Sequence, residues 1–152
     1  LDRRSDNQAS AFAATVAPFE RRQGVAPFEL KEHLAQLAER SLGPVRTATA
    51  LAAGLTQLAS LKTDVLPQLA CRTRDLTWNR DWSDALECQA AFSVIESALL
   101  GASGRNHSIG AHQRHDNQRA DEGVLSHSLV HLDAGTLVRT TVPVDFTRIA
   151  RP

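Results

Sequence analysis

The chain has no methionine, only two cysteines, 5% aromatic residues and no excess of either charge, with 17 basic and 17 acidic side chains. Each shortage narrows the field. A chain that begins at Leu1 and holds no Met is expected to be a fragment or a processed piece of a longer product. Cys71 and Cys88 are too few for a disulfide framework or a thiolate zinc site. We read Cys88 as a small core residue and Cys71 as a free thiol. Balanced charge, with neither sign gathered into a block, disfavours nucleic acid as a partner. No apolar run approaches the roughly 20 residues that cross a bilayer, and Leu1-Asp2-Arg3-Arg4-Ser5 lacks the apolar centre of a signal peptide. The expectation is a soluble chain without direct membrane insertion.

What is present suits one domain, since 152 residues with 42% hydrophobic content can bury a modest core. Asn7 to Phe19 is alanine-rich, with Phe12 and Val16 four apart, and predicts a short first helix. Pro27 then stands where a helix tolerates a missing N–H, and Leu30, Leu34 and Leu37 form the buried stripe of a second helix. Ser41-Leu42-Gly43-Pro44 stops it. Thr47 or Thr49 caps a third helix whose stripe is Leu51, Leu55, Leu58, Leu61 and Val65, ending at Pro67. Gly54 inside it weakens the helix, which points to close approach by another helix.

Periodicity vanishes from Pro67 to Trp82, a polar connection that Trp78 and Trp82 are expected to pin down. The next helix is the clearest, with Ala85, Cys88, Phe92, Ile95 and Leu99 at spacings of three and four and Asp81 or Ser83 as its cap. Gly101-Ala102-Ser103-Gly104 closes it. The period then changes to that of strands: Val124 to Leu132 and Thr136 to Val142 flank Asp133-Ala134-Gly135, a hairpin signal. The fold class is therefore mainly α. We expect a lead-in over 1–26, a three-helix, spectrin-repeat-like bundle over 27–104, and a loop, β-hairpin and irregular tail over 105–152, all in a single domain.

Candidate chemistry is sparse. His107, His112, His115, His127 and His131 fall within 25 positions. His127 and His131 lie on a strand pattern, however, where residues four apart are about 13 Å from each other, too far to share a metal. We read all five as surface or hydrogen-bonded histidines. Asp84 and Glu87 belong to the opening turn of a helix, where acid offsets the dipole, and Asp121-Glu122 follows a turn-like segment; neither pair reads as a general acid and base. Gly101 to Gly104 ends a helix and lacks the Lys-Ser/Thr of a phosphate loop.

The order of the pieces and several motifs resemble the C-terminal domain of the succinate dehydrogenase and fumarate reductase flavoprotein subunits, with L-aspartate oxidase and adenylylsulfate reductase as more distant relatives. Leu34, Leu37, Gly43, Arg46 and Thr47 resemble the family's first bundle helix and its Gly-x-x-Arg-Thr exit. Asp84-Ala-Leu-Glu87 stands where a later helix, opened by an Asn- or Asp-led cap, runs through Ala-Leu-Glu. Ser108-Ile-Gly110-Ala111-His112-Gln-Arg114-His-Asp116 resembles Glu-Ser-Arg-Gly-Ala-His-x-Arg-x-Asp. Arg119-Ala-Asp121 and Leu125-Ser-His127-Ser-Leu129 resemble the Arg-Asp-Asp and Trp-Leu-Lys-His-Thr-Leu that follow. The chain departs from the pattern where His107 replaces Glu, Ile109 replaces Arg and Val124 replaces Trp.

The resemblance implies FAD in the parent protein, none in this chain, and no catalytic, cofactor-binding or metal residues here. It implies a structural role for Ser108, Gly110, Ala111, His112, Arg114, Asp116, Arg119 and Asp121, with Gly110 and Ala111 allowing close backbone packing and His112 tying down the loop. It further implies the flavin-binding domain of the same protein and an iron–sulfur subunit as partners. The expected location is the cytoplasm, with peripheral attachment at the inner face of a membrane through partner subunits. A domain built to lie against a flavin-bearing body should expose an apolar patch. The alternative, a standalone helical interaction module or small subunit derived from that domain, should be polar all round.

Overall fold

In the computed structural model the backbone is described for residues 2–117 and 125–147, and side chains from residue 8 onward. The described residues are mainly helical, with four α-helices and a small antiparallel hairpin toward the C-terminus, as the mainly α reading anticipates. The helices are α1 (Asp2–Glu20), α2 (Pro27–Leu42), α3 (Ala48–Ser60) and α4 (Arg80–Ser103). Strands β1 (Val45–Arg46) and β2 (Gln113–Arg114) pair in parallel, while β3 (Ser126–Asp133) and β4 (Thr136–Pro143) form the hairpin. The chain divides into two compact units, residues 1–37 with 56–94 and residues 38–55 with 95–152.

The core of the first unit is the α2 stripe of Leu30, Leu34 and Leu37 together with Leu58, Ala85, Cys88 and Phe92, all at most 2% exposed. Around it lie α1 and the connection over residues 61–79. α1 extends beyond the expected Asn7–Phe19 and carries Pro18 near its end, where the proline carbonyl accepts the Cys71 N–H at 2.8 Å. Phe12 is exposed, so it does not belong to a buried stripe. The α3 pattern does not continue as α-helix to Val65: Leu61–Val65 forms a π-helical turn and Leu66–Gln68 a 3-10 turn containing Pro67. A proline cannot extend the regular ladder, and these looser and tighter turns take up the mismatch. Leu69, Ala70 and Cys71 are buried beyond it, with Val25 and Leu69 forming a parallel bridge.

The connection is knotted to α4 by Asn79, not by the expected Asp81 or Ser83. Its Oδ1 accepts the Trp82 N–H at 3.0 Å, the standard N-cap bond to the third helical residue. The same buried side chain donates to the carbonyls of Thr73 and Asp75. Asp81 instead accepts the Arg72 N–H. Of the two tryptophans only Trp82 pins the segment: its indole N–H donates to Thr15 O at 2.9 Å and its ring lies 5.7 Å from that of Phe19. Trp78 is 96% exposed, on a backbone with φ of 56°. That left-handed conformation turns its side chain out of the core.

α4 is long and apolar enough, by length and composition, to cross a membrane. One stripe of it is buried, through Ala85, Cys88, Phe92 and Leu99, and Lys31 neutralises its buried Asp84 across 2.7 Å. Both cysteines are buried and free, Cys71 included. Burial pushes the Cys88 thiol up to about 11 and also raises that of Cys71.

In the second unit the ends of α2, α3 and α4 meet around Leu51, Leu99 and Ala102, which are buried. Gly54 is placed there for space: a Cβ on it would lie 2.5 Å from Ser41 Oγ and 3.1 Å from Leu99 Cδ2. α4 runs past Gly101 to Ser103, and Gly104 is overlaid by the Arg139 guanidinium of the hairpin. The hairpin turns at Ala134 and Gly135, whose φ values of 46° and 86° satisfy the two positive angles of a type I′ turn. Its face bearing Val130, Leu137 and Arg139 is half-buried. The opposite face, carrying His127, Leu129, His131, Val138 and Val142, is exposed.

Candidate functional site

The motif running from Ser108 to Asp116 forms a short loop after α4 in which His112 and Arg114 are buried, while Gln113, His115 and Asp116 are exposed. Ile109 and His112 pair across a two-residue turn, exchanging N–H to carbonyl bonds of 2.9 and 3.0 Å. Gly110 takes φ of 54° in that turn, and nothing lies within 4 Å of where its Cβ would be. Its use is therefore the left-handed backbone, not the close packing expected of it. Ala111 beside it is exposed. Ser108 Oγ accepts the Arg114 N–H at 2.8 Å and closes the loop.

His112 is 7% exposed and engaged at both ring nitrogens. Nδ1 lies 2.8 Å from Arg46 Nη1, and Nε2 lies 3.0 Å from the carbonyl of Arg105. A guanidinium can only donate and a carbonyl only accept, so the ring is neutral with its proton on Nε2. Burial lowers the His112 pKa, and the nearby Arg46, Arg105 and Arg114 lower it further against the opposing Arg105 carbonyl. Arg46 itself fills the end of α2, donating through Nε and Nη2 to the carbonyls of Leu42 and through Nε to that of Gly43. These are the acceptors a helix leaves unpaired at its C-terminus.

Arg114 completes the arrangement. Its side chain is buried and bidentate to Asp116, at 2.8 and 2.9 Å, while Nη1 donates to Arg105 O at 2.9 Å. Asp116 also accepts the Ala48 N–H at 2.6 Å, at the start of α3, where Thr47 Oγ1 takes the Ala50 N–H. The Arg114 guanidinium, with the Ala48 N–H, holds the Asp116 carboxyl well below the usual carboxylate range. Parallel pairing of β1 with β2, extended by the His115 N–H to Arg46 O, fixes the register of the whole loop. Arg119, Asp121, Glu122 and Val124 lie outside the described residues.

The structure thus brings Arg46, Ser108, His112, Arg114 and Asp116 together in one network. Sequence reading did not include the Arg105 carbonyl or the Ala48 N–H, because backbone groups carry no residue-type signal. The other candidates are placed apart from it. Asp84 and Glu87 share Lys31 Nζ, at 2.7 and 2.5 Å, and form an ion-pair group of the first unit. His127 and His131 are exposed on β3. Among the described residues no group of three His, Cys, Asp or Glu side chains is placed to hold a metal ion.

Residues 31–152 match the family described as "Fumarate reductase flavoprotein C-term". The chain belongs to this family. Its fold is similar to that of the Mycobacterium smegmatis Sdh1 complex in the apo form, with a TM-score of 0.77 and 22% identity over 97% of this chain and 25% of that one. It is similar also to the E. coli quinol fumarate reductase FrdA, in a mutant form, with a TM-score of 0.79 and 23% identity over 95% of this chain and 26% of that one. This fumarate reductase flavoprotein C-terminal domain therefore spans about a quarter of the length of those chains. No curated protein sequence matches it significantly.

Proposed function

We propose that the chain serves as the C-terminal helical domain of an FAD-dependent oxidoreductase of the succinate dehydrogenase and fumarate reductase type, and that its role is structural and in subunit docking. The observation that carries this reading is the inward commitment of the signature loop. His112, Arg114 and Asp116 are the groups best able to handle protons or charge, and each is bonded to a partner inside the domain. A general acid or base must reach a substrate atom; His112 and Arg114 are buried, and Asp116, though exposed, has its carboxylate taken up by Arg114 and the Ala48 N–H. In this reading the chain supplies no catalytic residue, and FAD belongs to the flavin-binding part of the parent protein.

The lead-in 1–26, the helices of 27–104 and the tail 105–152 then act as one accessory domain. Its partners are the flavin-binding domain and an iron–sulfur subunit, in the cytoplasm and peripheral to a membrane through other subunits. The exposed hairpin face with Leu129, Val138 and Val142 at 49%, 37% and 43% exposure supports a surface meant to be covered, rather than the polar exterior of a standalone module. The test is to purify the tagged chain from its own cells and assay flavin content and succinate-linked dye reduction. Both should accompany the captured complex in fixed ratio and be lacking from the isolated chain. A monodisperse, colourless chain that recovers no flavoprotein would overturn the reading and leave the interaction module.

A further inference from the structure

Beside the signature loop lies an open groove of about 340 Å³, lined by Leu42, Arg46, Ala98, Gly101, Ala102, Arg105, His112 and Ser128. We propose that this groove, lined by Arg46, Arg105, His112 and Ser128, binds a small oxyanion of the phosphate or carboxylate class. The proposal is separate from the accessory-domain reading and rests on the charges and donors of this groove alone.

Charge is the first argument. Arg46, Arg105 and Arg114 all act electrostatically on His112, and Arg139 reaches the same wall, donating to Ser128 Oγ at 3.4 Å while its guanidinium lies over Gly104. Among the described residues the carboxylate bonded within this group is that of Asp116, and it is taken up by Arg114 and the Ala48 N–H. Arg46 spends its bonds on carbonyls and an imidazole, and Arg139 spends its own on hydroxyls, so the positive charge of neither is neutralised by these contacts. Several guanidinium groups around a concave, partly desolvated wall create a positive potential in which an oxyanion is favoured.

Donors are the second. A guanidinium has five N–H groups in a planar fork, and the contacts of Arg46 use Nε, one proton of Nη1 and one of Nη2, leaving two. Ser128 contributes a hydroxyl at the hairpin side of the groove. The lining also contains Ala98, Gly101 and Ala102, small side chains that leave room above α4. Two arginines and a hydroxyl match the several acceptor oxygens of a phosphate or a carboxylate.

Arg105 makes the proposal separable from folding, because its structural work is done by the backbone. Its carbonyl accepts His112 and Arg114, and Arg105→Gln leaves that carbonyl in place while removing a cation from the groove. The experiment titrates the 152-residue chain with inorganic phosphate, and separately with acetate, against chloride at matched ionic strength, following the His112 imidazole resonances and the thermal midpoint. Phosphate or acetate should shift both saturably in the parent chain. Arg105→Gln should weaken that binding about tenfold or more, while Arg22→Gln, an equal charge change at an exposed site of the other unit, should leave it unchanged. A response of phosphate without acetate assigns the phosphate class, and the reverse assigns carboxylate. Non-saturable shifts, an unmoved His112, or equal responses in Arg105→Gln and the parent chain would overturn the proposal.

Discussion

Arg46 Nη1 donates to His112 Nδ1 across 2.8 Å, joining the end of α2 to a loop 66 residues further along the chain. The contact works because one planar side chain caps a helix and fixes an imidazole tautomer at the same time. A lysine carries the same charge but no fork, so it cannot reach the Leu42 and Gly43 carbonyls and the ring together. Arg46→Lys should therefore cost about 1–3 kcal/mol of stability, the range for leaving buried partners without their bonds. Urea denaturation of the two forms measures it. Equal midpoints would mean the network contributes nothing to folding.

The neutral state of His112 makes stability depend on pH in a fixed direction. Its folded pKa lies below its ordinary value of 6.5, so between the two values the unfolded chain binds the extra proton. The stabilisation is complete above about pH 6.5 and is lost as pH falls through the lowered folded value. His112→Gln removes the titration. Its unfolding free energy should be lower than that of the parent at pH 7.5, with the gap narrowing as pH is lowered to 5. Parallel pH profiles would show that His112 is not the group responsible.

Gly54 offers a test of packing against intrinsic preference. Alanine is the better helix former by about 1 kcal/mol, and on an open helix Gly54→Ala would stabilise the chain. Here the added methyl would lie 2.5 Å from Ser41 Oγ, 2.8 Å from Ser41 Cβ and 3.1 Å from Leu99 Cδ2. Overpacking of this kind costs about 1–3 kcal/mol, so the net effect is a loss of stability. A thermal midpoint at or above that of the parent would show that α3 can retreat from its neighbours.

Which of these features could be read in the sequence follows from how each is encoded. The stripes of α2 and α4 were legible because Leu30, Leu34 and Leu37, and Ala85, Cys88, Phe92 and Leu99, repeat with the helical period and are buried accordingly. The hairpin was legible from β-branched runs around Asp133-Ala134-Gly135. The end of α3 was not, since a π-helical turn and a 3-10 turn continue the same leucine spacing as an α-helix. Nor was the cap of α4: Asn79, Asp81 and Ser83 are all good capping residues, and the choice of Asn79 depends on its bonds to Thr73 and Asp75. In the loop, the residue types at 108–116 were recognisable by resemblance. Their partners, a carbonyl at Arg105 and an N–H at Ala48, are set by tertiary structure alone.

Trp78 and Trp82 sit four residues apart and should behave oppositely. Trp82 is held by Thr15 and Phe19, so Trp82→Ala removes an indole hydrogen bond and an aromatic contact from the junction of α1 with α4. A loss of about 2–4 kcal/mol is expected for an aromatic truncated at a partly buried site. Trp78 is 96% exposed and carries φ of 56°, a conformation that costs a side-chain-bearing residue about 1 kcal/mol or more relative to glycine. Trp78→Gly gives up almost no packing and relieves that strain, so stability should hold or rise despite the looser unfolded chain. Its intrinsic fluorescence, then due to Trp82 alone, should move to shorter wavelength than the parent's. A strongly destabilised Trp78→Gly, or an unchanged emission maximum, would mean that Trp78 is covered in solution.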